Sequence, residues 1–153
     1  MRRDRVLLLG QAPARDGDPR RPLIGGRGSG RILQLLTGTT LRQYSRIFER
    51  RNLLQAWPGS AGAKGDLFPM TDAREAANAL LPFLAGRRVV LLGTGVARAF
   101  GFPPETPRFE WFERDGTRFA LSPHPSPANL WWNAWRNRAE AARFFGSITT
   151  GDR

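Results

Sequence analysis

V-L-L-L-G at Val6 to Gly10 and R-V-V-L-L-G at Arg88 to Gly93 are the stretches that decide the fold. Each carries an unbroken apolar run and is closed by a glycine. A strand with one wet face alternates apolar and polar residues, whereas a continuous apolar run is what a central parallel strand covered on both faces requires. Outward from the first run, Gly10-Gln11-Ala12-Pro13-Ala14-Arg15-Asp16-Gly17-Asp18-Pro19 is a polar, turn-rich loop. It leaves the carboxyl end of its strand, where open α/β sheets place their sites. Pro22 to Gly30 prolongs this loop, and Ser29 is a candidate cap for a helix over Arg31 to Leu36. A second short helix is predicted over Thr39 to Phe48, and a strand over Arg51 to Trp57, broken by Pro58-Gly59. Ser60 to Phe68 is glycine-rich and reads as a surface loop. Thr71 is the candidate cap of a helix from Asp72 to Leu84, with Gly86 just beyond its end. After the second apolar run, a short helix is predicted over Val96 to Phe100. Phe109 to Phe112 and Arg118 to Leu121 flank Asp115-Gly116, a hairpin turn signal. The last helix is predicted from Leu130 to Phe145 with Gly146 as its stop, and Thr149 to Arg153 as a frayed end. Strands alternating with helices give an α/β fold, a three-layer α/β/α sandwich with a central, mainly parallel four-stranded sheet. No linker or repeat divides the chain, so one domain over 1–153 is expected.

Charge narrows the partner. The chain has 153 residues, a net charge of +11 and a pI near 11.7. Lys64 is its only lysine, so the excess is arginine. Arginine forks bind phosphates bidentately and stack on bases, which makes a nucleic acid the natural partner. An arginine-rich coding bias is the alternative source of the charge. There is no cysteine, which excludes disulfides, thiolate zinc sites and iron–sulfur clusters and fits a cytoplasmic protein. Val6 to Leu9 is too short for a signal peptide's apolar region or a membrane span, so no membrane partner is expected. No cofactor or metal is expected either. Gly93-Thr94-Gly95 follows a strand as a dinucleotide fingerprint would, but Arg98 holds the third glycine position and no suitable acid follows. The glycines from 25 to 30 lack the Lys-Ser/Thr ending of a phosphate-binding loop. A single histidine without a thiol does not make a metal site. A monomer satisfies everything the sequence demands.

The chemistry concentrates in L-S-P-H-P-S-P-A-N-L-W-W-N, Leu121 to Asn133. It holds His124, the only histidine. Pro123, Pro125 and Pro127 fix φ and push their predecessors toward extended geometry. A lone histidine is commonly structural or solvated, but one titratable ring on a stiff polar loop is what a reacting site uses. A serine triad of Ser126 and His124 is not supported, because no nucleophile elbow accompanies it. Gln11, Asp16, Asp18, Asn52 and His124 all lie at or near the carboxyl ends of predicted strands. In a parallel sheet those ends share one edge.

These residues resemble the uracil-DNA glycosylase superfamily. Gly10-Gln11-Ala12-Pro13-Ala14 is similar to its Gly-x-x-Pro loop, which carries the water-positioning group. Arg51-Asn52-Leu53-Leu54 is similar to the short strand whose asparagine reads the base edge. His124-Pro125-Ser126-Pro127 is similar to its His-Pro-Ser loop, the most specific match. The resemblance runs from about Val6 to Phe145. It implies an enzyme that flips deoxyuridine out of DNA, as reaching the buried atom requires, and hydrolyses its N-glycosidic bond. By that resemblance His124 stabilises charge developing on the leaving uracil, Asn52 pairs with the uracil edge, and Gln11 and Ala12 contribute backbone donors. Ser126 and Ser122 hold DNA phosphates, and Asn129, Leu130 and Trp131 complete the DNA-facing set. The sequence departs from the family in four places. Ala12 stands where the best-known branch has its catalytic aspartate, which leaves Asp16 or Asp18 to position the water. Leu23 or Ile24 stands where relatives stack an aromatic ring on uracil, a less selective platform that points to further deaminated bases. Relatives with the Gly-x-Ala-Pro loop generally carry an iron–sulfur cluster, which a cysteine-free chain cannot bind. Ala128 occupies the position of the wedge leucine, which leaves Leu130 or Trp131 to fill the hole of a flipped base. The rival expectation is a catalytically inactive nucleic-acid-binding module on the same fold, favoured by Ala12.

Overall fold

A computed structural model describes residues 5–24 and 29–151 of the chain. The middle of the predicted glycine-rich loop (25–28) and the terminal residues 1–4 and 152–153 lie outside the described residues.

The two apolar runs are β1 (Val6–Gly10) and β3 (Arg88–Leu92), adjacent and parallel at the centre of the sheet. Successive residues alternate between two cores. Leu7, Leu9, Val89 and Leu91 face one side, while Val6, Leu8, Val90 and Leu92 face the other. Every one of them is at most 1% exposed, and burying such a side chain is worth about 1.5–3 kcal/mol. The first side is covered by α3 (Met70–Leu80) and α4 (Thr94–Ala99), through Ala73, Ala77, Leu80 and Val96. The second is covered by α1 (Ser29–Thr37), α2 (Leu41–Ile47) and α5 (Trp135–Thr150), through Leu33, Tyr44, Phe144, Phe145 and Ile148. Among the described residues no helix is long and apolar enough to cross a membrane.

The sheet order is β2-β1-β3-β5-β4, with β2 (Phe48–Asn52), β4 (Phe112–Arg114) and β5 (Thr117–Ser122) completing it. The first four strands in this order are mutually parallel, and only β4 runs antiparallel, against β5. The sheet therefore has five strands and not the expected four, because the Asp115-Gly116 hairpin adds its first arm as an edge strand. Asp115 and Gly116 have φ of 51° and 71°, the positive pair that a tight hairpin turn of the favoured twist needs.

Other expectations shift, among them Ser29, which is the first residue of α1 and not its cap, and the first hairpin arm, which is Phe112–Arg114 and not Phe109 to Phe112. The strand predicted over Arg51 to Trp57 ends at Asn52 and begins at Phe48. As an edge strand it pairs only with β1, so the polar Glu49-Arg50-Arg51 suits it. The apolar Leu53 and Leu54 that suggested a strand follow it, their N–H groups donating to the carbonyls of Gly10 (2.9 Å) and Gln11 (2.8 Å). Thr71 lies inside α3, whose cap position is Pro69. The last helix starts at Trp135, after a 3-10 turn over Leu130–Asn133, and it passes through Gly146 to end at Gly151, which has φ of 78°. An interior glycine costs about 1 kcal/mol, which the burial of Phe144, Phe145 and Ile148 around it outweighs. Thr149 and Thr150 are consequently helical and not frayed.

Candidate active site

The parallel register aligns the carboxyl ends of four strands. Gly10 lies opposite Asn52, and Leu92 lies opposite Ser122. Loops leaving these ends therefore rise from one edge, in the lateral order Asn52, Gln11, Gly93 and the His124 loop.

Asn52 is the last residue of β2 and only 8% exposed. Its backbone carbonyl accepts from Gln55 Nε2 at 3.1 Å, but its carboxamide bonds to no described side chain or backbone group. It forms part of a cavity of about 550 Å³ with Ala12, Leu23 and Ile24, at whose rim stand Asp16 and Asp18. The wall opposite is built under constraint. Leu23 has φ of 55°, rare for a non-glycine residue. Its carbonyl accepts from the Tyr44 hydroxyl at 3.4 Å. Gly30 of α1 lies directly on that carbonyl, such that a methyl group there would be 1.9 Å from the oxygen.

Gln11 and His124 meet at Gly93. A methyl group on Gly93, which has φ of 104°, would lie 3.1 Å from His124 Cβ and 3.5 Å from Gln11 Nε2. One on Gly95 would lie 3.2 Å from Gln11 Nε2 and 2.9 Å from the Phe68 ring. The two glycines thus clear a floor on which a carboxamide, an imidazole and an aromatic ring gather. Neither the Gln11 amide nor the His124 ring has a hydrogen-bond partner among the described residues. Burial pushes the His124 pKa below its ordinary 6.5, with the Asp66 carboxylate pulling weakly the other way. The ring is therefore neutral at physiological pH, carrying one N–H donor and one lone pair.

The His124 loop is locked through its backbone. The His124 carbonyl accepts from Ser126 N (2.8 Å), Asn129 Nδ2 (3.0 Å) and Trp132 Nε1 (2.8 Å). Asn129 also accepts from Trp131 N at 3.1 Å, so its side chain holds the loop in shape and does not face outward. Ser126 is half-buried, its Oγ accepting from Ala128 N at 3.3 Å. Ser122 is buried and its hydroxyl donates to the Pro123 carbonyl at 3.1 Å, which turns it away from any backbone passing over the surface. Of the two wedge candidates, Leu130 is 76% exposed. Trp131 packs on Phe109 and Trp132, with centroids 5.6 and 4.7 Å away.

The two acids differ from each other. Asp18 is exposed and its carboxylate is gripped by Arg20 at 3.1 and 3.3 Å. That hydrogen bonding holds its pKa below the usual carboxylate value. Asp16 is exposed on the cavity rim and forms no ion pair within the described residues. Three contributors to the site carry no local sequence signal. Trp132 anchors His124 from a position that reads as helix packing, and Phe68 and Asp66 arrive from the 57–68 loop. A separate, shallower groove of about 660 Å³ runs along α5 past Arg108, Arg136 and Arg143. Glu110 and Glu140 stand among these arginines, and none of the polar residues above lines the groove. Among the described residues no group of His, Cys, Asp or Glu is placed to hold a metal ion. Neither protein-family models nor curated proteins match the chain.

Proposed function

We propose that the protein is a monofunctional DNA glycosylase of the uracil-DNA glycosylase type, acting as a monomer on that superfamily's α/β/α sandwich. It flips uracil from DNA and hydrolyses the N-glycosidic bond, leaving an abasic site. One observation carries this reading. Gln11, Asn52 and His124 stand along one sheet edge with their side-chain polar groups unpartnered among the described residues, although all are at least half-buried. Three buried or half-buried polar side chains left unpaired along one edge offer donors and acceptors to a ligand with complementary edges. Uracil presents carbonyl acceptors and an N–H donor in one plane. Asn52 reads that edge with donor and acceptor of one carboxamide. Neutral His124 donates an N–H to the carbonyl on which charge accumulates as the bond breaks. A fixed donor of this kind is worth about 10²–10³ in rate. Leu23 and Ile24 form an apolar wall without an aromatic face, which supports acceptance of other deaminated bases. Leu130 is the wedge that enters the duplex, Ser126 faces a phosphate, and the arginine surface holds the backbone. No cofactor enters the reaction.

Ala12 favours a second reading, a module on the same fold that binds nucleic acid without cleaving it. Incubation with single- and double-stranded oligonucleotides containing uracil, hypoxanthine or xanthine, followed by alkali, decides between the two. Strand breaks at the damaged base are expected. Tight binding without breaks on any substrate would establish the module instead.

A further inference from the structure

The 57–68 loop is tied to the loop following β1 by a chain of three side chains. The Arg15 guanidinium lies over the Trp57 ring at 5.8 Å, and Trp57 Nε1 donates to Asp66 Oδ1 at 3.0 Å. Asp66 is therefore fixed at one oxygen and anchored to the loop that carries Ala12. Its second oxygen has no partner within the described residues. Two residues further on, the Phe68 ring reaches the floor at Gly95, beside the Gln11 amide. The Asp66 carboxylate also acts electrostatically on His124, opposing the effect of burial there. No comparable tie reaches Asp16, and Asp18 is neutralised by Arg20.

We infer that Asp66, positioned by Trp57, supplies the water-orienting carboxylate that Ala12 lacks. This rests on the glycosylase reading. Oδ2 accepts a hydrogen bond from a water and directs its lone pair at C1′ of the flipped nucleotide. As the C1′–N1 bond breaks, its electron pair leaves with the base, whose charge the His124 N–H stabilises. The water oxygen bonds to C1′, its proton passes to Asp66 and on to solvent, and the uracil anion is protonated from solvent. Asp66 is exposed in the free protein; bound DNA covers it and excludes competing water. The contribution is that of a positioned base, about 10²–10⁴ in rate.

The test is single-turnover excision from a uracil-containing duplex, alongside affinity for the same duplex bearing an uncleavable 2′-fluoro-deoxyuridine. Asp66→Asn is expected to lower the rate at least about 10²-fold with affinity and thermal unfolding unchanged. Trp57→Phe, which removes the indole donor but keeps the ring, is expected to lower the rate less, again without loss of affinity. Asp115→Asn, at the remote hairpin turn, is the unaffected control. Asp66→Asn at wild-type rate overturns the inference while leaving the glycosylase intact, as does loss confined to Asp16→Asn or Asp18→Asn. A wild-type protein that binds the duplex but never cleaves it overturns the glycosylase reading itself, and the role of Asp66 with it.

Discussion

A methyl group on Gly30 would fall 1.9 Å from the Leu23 carbonyl oxygen and 2.5 Å from Ile24 N, backbone atoms that cannot rotate away. Gly30→Ala is therefore expected to displace the Leu23–Ile24 wall, costing about 1–3 kcal/mol of stability and more than tenfold in substrate affinity. Denaturant unfolding and binding measured on the same variant check both. At His124 the sign of the pH effect follows from burial. The folded state holds the ring proton less tightly than the unfolded chain, so its contribution to stability is complete above 6.5 and lost as pH falls through the lower folded value. The expected acid loss of stability beginning near pH 6.5 should be smaller in His124→Asn. Excision by the wild type should stay flat down through pH 6.5, because the neutral ring persists there. A rate that rises on acidification through that pH would mean the imidazolium is the active form. His124→Ala is expected to remove at least about 10²-fold of the rate while the protein remains folded.

The hairpin shows how an element is attached. β4 has only three residues, and it is held by an aromatic cluster more than by its ladder. Phe119 of β5 is fully buried against Phe100, Phe102 and Phe112, at centroid distances of 5.8, 5.2 and 6.3 Å. Arg114 closes the cluster, its guanidinium 4.0 Å from the Phe102 ring centre. Phe119→Ala is expected to cost about 3–5 kcal/mol in chemical denaturation, and to raise hydrogen exchange first at Thr117 to Ser122. The same strand leads into the His124 loop, so weakened docking should also lower excision. The 3-10 turn of Leu130–Asn133 plays the corresponding part on the other side of His124. Its Trp132 carries the indole donor that holds the loop. The α2 start carries a local signal that the expected start at Thr39 did not use: Thr40 and Gln43 form a capping box, with Thr40 N to Gln43 Oε1 at 2.8 Å and Gln43 N to Thr40 Oγ1 at 3.2 Å. The α5 start was not, because an extended Ala134 separates two helical segments that read as one in sequence.

For the whole molecule the net charge of +11 is expected to govern association with DNA on the proposed reading. Binding to a uracil duplex is expected to weaken steeply with salt, by about 10³-fold or more between roughly 50 and 200 mM if about six phosphates are neutralised. Filter binding or anisotropy across that range measures the slope. A slope near zero would sink the electrostatic account. Charge reversal at Arg136 and Arg143 in the α5 groove should reduce the slope while leaving the rate on saturated substrate intact.

The central strands were written in the sequence because their burial on both faces forces an unbroken apolar run, which no other element of that length displays. The edge strand β2 was misplaced because burial constrains it less, so its pairing with β1 dictates its position more than its own residues do. The placement of Gln11, Asn52 and His124 along one sheet edge was legible for the same reason that β1 and β3 were: a parallel sheet aligns strand ends wherever its strands fall. Phe68, Trp57 and Asp66 were not legible. They sit on a loop whose composition says only that it is exposed, and their place beside Gly95 and Arg15 exists only once contacts distant in sequence have closed. The sequence by itself determined the central strands, the charge and the rigid histidine loop, because these depend on local periodicity and residue chemistry. Tertiary structure alone decided which acid's charge acts on the histidine, because that depends on how a long irregular loop folds back over a sheet edge.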